Sequence, residues 1–201
     1  MEKIIKGKVF VLGDNIDTDQ IIPACHLVYS LKDPAERKLY GKYALSGLPR
    51  SKYPEPFSTD KGVSPYPIII AGKNFGSGSS REQAPACLGV AGVKAVVAIS
   101  FARIFYRNSV NGGFLIPIEL QDGNGIGAFR TGDVATIDME NWTLTKNADE
   151  LPAARLRDFG EVGSIVEAGG IFNVSEKQMI ETHTSAPDKA SARSLSDFRE
   201  S

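Results

Sequence analysis

The sequence predicts an α/β protein built on a parallel sheet, and three observations carry that prediction. Short apolar runs recur at 67–71, 94–100 and 114–118, rich in small and β-branched residues. The segments between them have helical spacing, so the chain reads strand, loop, helix, strand, helix, strand. From about residue 130 the pattern turns to alternation, the mark of a half-buried antiparallel strand.

The elements follow in order. Residues 4–12 (Ile-Ile-Lys-Gly-Lys-Val-Phe-Val-Leu) form a first strand, stopped by Gly13-Asp14-Asn15. Residues 14–23 are a polar loop running into Ile21-Ile22-Pro23. The stretch 30–66 holds five of the eleven prolines. It is expected to be an insertion with one helix near Pro34–Tyr43, capped by Asp33 with Pro34 in its first turn. Pro67–Ala71 is a buried strand. Ser79–Ala91 is predicted helical, because Ser79 and Glu82 have capping-box spacing and Ala84, Cys87, Leu88 and Ala91 share a face. Lys94–Ser100 is the next strand. Phe101–Asn111 is the next helix, with Ile104, Phe105 and Val110 inward and Arg103 and Arg107 on another side. Phe114–Ile118 is again a strand. Asp133–Met139 alternates and is expected to pair with Trp142–Thr145 as a hairpin. Helices are predicted near Leu151–Phe159 and from Ser175. One domain then spans 1–183, and the Ser/Ala/charge-rich residues 184–201 are a flexible tail.

Composition closes several doors. Hydrophobic residues make up 42% of 201, enough for a core, and the net charge of −1 offers no basic field for nucleic acid. No apolar run is long enough to span a bilayer. The start, Met1-Glu2-Lys3-Ile4-Ile5, has neither a secretory h-region nor the look of a transit peptide. A cytoplasmic protein is expected, or a plastid-stromal one from which a transit peptide has been removed. Cys25 and Cys87 with His26 and His183 are too few for an iron–sulfur or zinc site within this chain.

The chemistry concentrates in Gly-Lys-Asn-Phe-Gly-Ser-Gly-Ser-Ser-Arg-Glu, residues 72–82. Its glycines free the backbone to approach a ligand, a helix start favours an anion, and Arg81 brings a fork matched to carboxylate or phosphate. A Walker loop needs Gly-Lys-Ser/Thr, whereas Gly78 is followed by Ser79-Ser80. A dinucleotide fingerprint needs a third glycine where Arg81 stands. The residual alternative is a capped helix and a tight turn with no chemistry. If Ser79 reacts, the two distant histidines give it no triad. Its alkoxide then depends on N–H donors, helix dipole and Arg81, which suits proton abstraction in a dry site. The second cluster, Gly-Asp-Asn-Ile-Asp-Thr-Asp-Gln-Ile-Ile-Pro (13–23), lacks the terminal glutamate of an EF-hand and is otherwise a loop of caps and Asx-turns.

Together with Ser-Phe-Ala-Arg-Ile-Phe-Tyr-Arg-Asn (100–108) and Glu-Ala-Gly-Gly-Ile-Phe (167–172), these two segments resemble the 3-isopropylmalate dehydratase small subunits of the aconitase family. The resemblance covers about residues 4–181. It implies a swivelling β/β/α domain that caps a large subunit carrying a [4Fe–4S] cluster. It also implies a hydro-lyase of leucine biosynthesis that moves a hydroxyl between adjacent carbons of an alkylmalate. By motif match Ser79 is the catalytic base. Ser80 and Arg81 hold substrate carboxylate, and Thr18 and Asp19 belong to the substrate-binding loop. Gln83 stands where the family usually has histidine, and Ser77 where cysteine is frequent. The segment after Pro23 is mostly apolar and lacks arginine, so Leu27, Val28 and Tyr29 are expected to select an alkyl group over a third carboxylate. Homoaconitate or dimethylmalate hydro-lyases, and a non-catalytic module binding an anion or partner protein, are the alternatives.

Overall fold

The computed structural model describes residues 2–122, 125–147 and 152–174. Seven strands form one sheet in the order β4-β3-β2-β1-β5-β6-β7. Four of them, β1 (Ile4–Val11), β2 (Ile68–Ala71), β3 (Ala95–Ala98) and β4 (Ile116–Glu119), are parallel neighbours. The other three, β5 (Val134–Asp138), β6 (Thr143–Lys146) and β7 (Ala154–Arg155), extend from β1 antiparallel.

Strands β2 and β3 are buried at every position, which requires cover on both faces. Ile69, Ala71, Val96 and Ala98 face the helices. Their alternating neighbours Ile68, Ile70, Ala95 and Val97 meet Ala135, Ile137 and Leu144 of the antiparallel half. The sheet thus curls over itself and makes the expected β/β/α layering. Two bonds join its far ends: Gln121 N–H to the Arg155 carbonyl at 3.0 Å and Arg157 N–H to that of Glu119 at 2.8 Å. Each fully buried isoleucine in this sandwich contributes about 1.5–3 kcal/mol.

The helices are α1 (Thr18–Ile21), α2 (Pro34–Tyr43), α3 (Gln83–Val90), α4 (Arg103–Gly112) and α5 (Gly163–Ala168). Helix α2 starts as expected: Asp33 Oδ1 accepts from Ala35 N–H at 2.7 Å and from Glu36 N–H at 3.3 Å, with Pro34 leading. Residues 30–66 form the crossover between β1 and β2, and Tyr40, Leu45 and Phe57 sink into the helical core.

Four expectations are corrected. Helix α3 begins at Gln83, not Ser79, and has no side-chain cap; Pro85, which needs no donor N–H, sits in its first turn. The capping box lies instead at Asp17–Gln20, within the stretch read as a polar loop. Ile104 is 42% exposed on α4, while Phe105 and Val110 are buried as expected. The stretch read as a helix near 151–159 supplies β7, because Ala154 and Arg155 pair with β6 across a distance no local spacing reveals. The helix from Ser175 and the tail 184–201 lie outside the described residues.

Candidate active site

The two motif loops leave the carboxyl ends of the adjacent parallel strands β1 and β2, so register alone brings them side by side. Their backbones zip together. Asn15 N–H bonds the Lys73 carbonyl at 2.8 Å, Gly76 N–H that of Ile16 at 2.7 Å, and Thr18 N–H that of Ser77 at 2.8 Å. Asp14 Oδ1 accepts from Lys73 N–H at 2.8 Å, and Asn74 Nδ2 donates to Asn15 Oδ1 at 3.1 Å. The second loop is also tied to the third strand's end, through Asn74 N–H to Ser100 Oγ at 2.9 Å.

Glycine is required at two turns. Gly76 has φ +79° and a Cβ there would strike the Phe105 ring; Gly78 has φ +95° and its Cβ would sit 3.2 Å from Thr18 Oγ1. After these turns Ser79 and Ser80 emerge exposed, on non-helical backbone. Ser79 therefore precedes α3 by four residues. The helix-start potential invoked for it does not act from its own N–H.

Arg81 is the fixed point. Its Nη1 donates to Asp19 Oδ1 at 2.7 Å and its Nη2 to Asp19 Oδ2 at 3.1 Å, a bidentate pair; Nη1 also reaches the Ile22 carbonyl at 3.1 Å. The arginine side chain is 13% exposed and the aspartate 60%. The Arg81 hydrogen bond holds the Asp19 carboxyl below the usual carboxylate range, against a smaller opposing push from burial. Guanidinium has five N–H donors. Among the described residues three are engaged, which leaves Nε–H and the outer Nη2–H for a further carboxylate.

Thr18, expected in the substrate-binding loop, has its side chain buried at 2% exposure. Among the described residues its Oγ1 has no hydrogen-bond partner. Of the expected specificity residues, Val28 stands out at 77% exposure. Leu27 and Tyr29 pack on the helical core; Tyr29 stacks on Tyr43, and its carbonyl accepts a hydrogen bond from the Tyr40 hydroxyl at 2.7 Å. His26, which carried no role in the sequence, lies flat on Tyr43 with ring centroids 3.7 Å apart.

Among the described residues no group of three or more His, Cys, Asp or Glu is placed to hold a metal. Cys25 is exposed and Cys87 buried, on separate elements. This chain's residues do not fit an iron–sulfur cluster of its own. A cavity of about 270 Å³ is walled by Phe101, Tyr106, Glu119 and Phe159, apart from Ser79 and Arg81. At the serine–arginine site Ser79 and Ser80 are exposed while the Arg81 side chain is largely buried.

The pattern of the aconitase C-terminal domain matches residues 48–123. A 3-isopropylmalate dehydratase small subunit of Arabidopsis thaliana is 46% identical over 87% of this chain and 70% of its own length. One from Methanopyrus kandleri is 39% identical over 89% of this chain and 96% of its own. The isopropylmalate/citramalate isomerase small subunit of Methanocaldococcus jannaschii is 38% identical over 90% of this chain and 99% of its own. A crystal structure of 3-isopropylmalate dehydratase from the same archaeon superposes with a TM-score of 0.72 and 34% identity, covering 91% of this chain and 99% of that one.

Proposed function

We propose, for a chain that belongs to the 3-isopropylmalate dehydratase small-subunit family, that it works as the small subunit of a heteromeric hydro-lyase. The enzyme interconverts 2-isopropylmalate and 3-isopropylmalate by dehydration and rehydration, a step of leucine biosynthesis. The observation that carries this reading is the Asp19–Arg81 fork, which pins the serine loop to the neighbouring strand's loop.

Substrate meets this chain through four side chains. Arg81, held rigid by Asp19, offers Nε–H and the outer Nη2–H to one substrate carboxylate, and Ser80 adds a hydroxyl donor beside it. Ser79, as the alkoxide, takes the proton from the carbon next to the one bearing the hydroxyl. Loss of that hydroxyl gives the alkene. Water adds in the opposite sense, and Ser79 returns its proton to the carbon that lost the hydroxyl. Fixing one carboxylate and one base on loops tied by backbone bonds supplies orientation. Val28, at the rim, is the apolar contact for the alkyl group.

An exposed serine next to a half-engaged arginine is one side of a site. The other side belongs to a separate large subunit, which would also hold the [4Fe–4S] cluster that the family resemblance implies; no step above is derived through it. Among the described residues no helix is long and apolar enough to cross a membrane. The compartment fitting this reading is the cytoplasm or the plastid stroma. A relative whose name includes citramalate favours a second reading, that a shorter alkyl group is also accepted. One apolar contact discriminates by only about 1–3 kcal/mol. Mixing the chain with its large subunit and assaying isopropylmalate, citramalate, dimethylmalate and homoaconitate tests both. Turnover of homoaconitate with none of isopropylmalate would refute the assignment.

A further inference from the structure

Among the described residues, one buried side-chain polar atom goes without a partner, the Thr18 hydroxyl. It sits on the first residue of α1, immediately after the Asp17 cap, and its own N–H is spent on the Ser77 carbonyl. Gly78 roofs it so closely that a Cβ there would lie 3.2 Å from Oγ1. The next residue along that roof is Ser79. A buried hydroxyl left unpaired costs about 1–3 kcal/mol, and a valine would fill the same volume without that cost. Fold stability therefore does not explain the oxygen. An anion nearby would, because a hydroxyl that donates to an alkoxide makes a charge-assisted bond in a site shielded from water.

We infer that Thr18 is a positioning residue for Ser79: in the assembled enzyme its hydroxyl donates a hydrogen bond to Ser79 Oγ and favours the ionised, proton-accepting form. The glycines at 76 and 78, both in the left-handed region, make the turn that sets Ser79 directly after the residue lying over the threonine. The oxygen and not the methyl group carries the effect. The inference rests on the reading of Ser79 as the base.

The test uses this chain assembled with its large subunit and compares wild type, Thr18→Val and Thr18→Ser. Thr18→Val is expected to lower kcat about 10²-fold, the scale for losing one donor to a developing oxyanion. KM should stay within about twofold, since binding is not what the hydroxyl serves. The ascending limb of the pH–kcat profile should move to higher pH, because a base deprived of a donor is harder to ionise. Thr18→Ser should restore both kcat and the limb. The Tm of Thr18→Val should equal or exceed that of wild type, since an unpaired buried group has been removed.

Wild-type kcat and an unmoved profile in Thr18→Val would overturn the inference. So would a Thr18→Ser variant as slow as Thr18→Val, which would assign the effect to the methyl group. A Thr18→Val that merely assembles less, with wild-type kcat per complex by size-exclusion quantification, would overturn it too. If wild type itself turns over none of the malates, the reading of function fails and this inference goes with it; that outcome is distinct from an active wild type with an equally active Thr18→Val.

Discussion

The loop pair 13–23 and 72–82 and the hairpin of β5 and β6 make an instructive contrast, because both are crossed by a carboxylate–cation pair. In the hairpin both members of the pair have further partners. Asp133 Oδ2 pairs with Lys146 Nζ at 2.9 Å and accepts from Arg130 N–H at 2.7 Å, while Lys146 also reaches the Ala128 carbonyl at 2.6 Å. In the loop pair the aspartate is answered but the arginine keeps donors in hand, two serines face solvent, and a buried threonine hydroxyl waits. The loops hold donors and hydroxyls that nothing among the described residues answers.

That contrast is sharpest where function is removed without harm to the fold. Ser79→Ala in the assembled pair should cut turnover by about 10³-fold or more, the scale of a lost general base, with the complex still forming on size exclusion. Full activity would end the base assignment. Arg81→Lys should lose about 10²-fold, because a point charge cannot hold Asp19 and substrate at once; a KM near wild type would remove its carboxylate-holding role. Gly78→Ala strains a left-handed position beside Thr18 and should lower Tm by the equivalent of about 1–2 kcal/mol, with a larger proportional loss of kcat. Lys146→Ala is the counterweight. It should cost no more than about 1 kcal/mol by denaturant titration and leave kcat per complex unchanged. A hairpin variant that slows chemistry would break the division between the two regions.

Acid should act on both pairs alike and only weakly. Asp19 and Asp133 are both held below the usual carboxylate range, chiefly by Arg81 and Lys146 respectively. A depressed folded-state value means that each contribution is full above the unfolded value of about 3.9 and fades as pH falls through the folded one. Circular dichroism at fixed denaturant should therefore be flat from pH 7 to about 5 and decline below about 4. The thiols give the smallest effect. Burial pushes the Cys87 thiol well above its ordinary value, so a thiol reagent should label Cys25 alone in the native chain and both residues after unfolding.

What the sequence revealed follows from what is local. The Asp33-Pro34 start of α2, the alternation that puts Ala135 and Ile137 inside, and the buried runs of β2 and β3 all announce themselves within a few residues. The capping box between Asp17 and Gln20 is equally local, but amid three carboxylates the stretch reads as a loop of caps and not as a helix start. At Ser79 and Glu82 the spacing was right, yet the glycine turns delay the helix and leave the serine outside it. The Asp19–Arg81 pair spans 62 positions and arises from the register of β1 against β2, which no spacing encodes. The exposed face of Ile104 and the short β7 likewise depend on distant neighbours.

The joining of β4 to β7 has a consequence for how this molecule meets others. A curved ribbon stitched at its ends, with Gln121 and Arg157 as the stitches, leaves little raw backbone for a foreign strand to extend. Association by adding a strand is thereby discouraged, and a companion protein has to recognise the rim of the barrel by side chains. The two motif loops, bonded backbone to backbone, stand together on that closed ribbon.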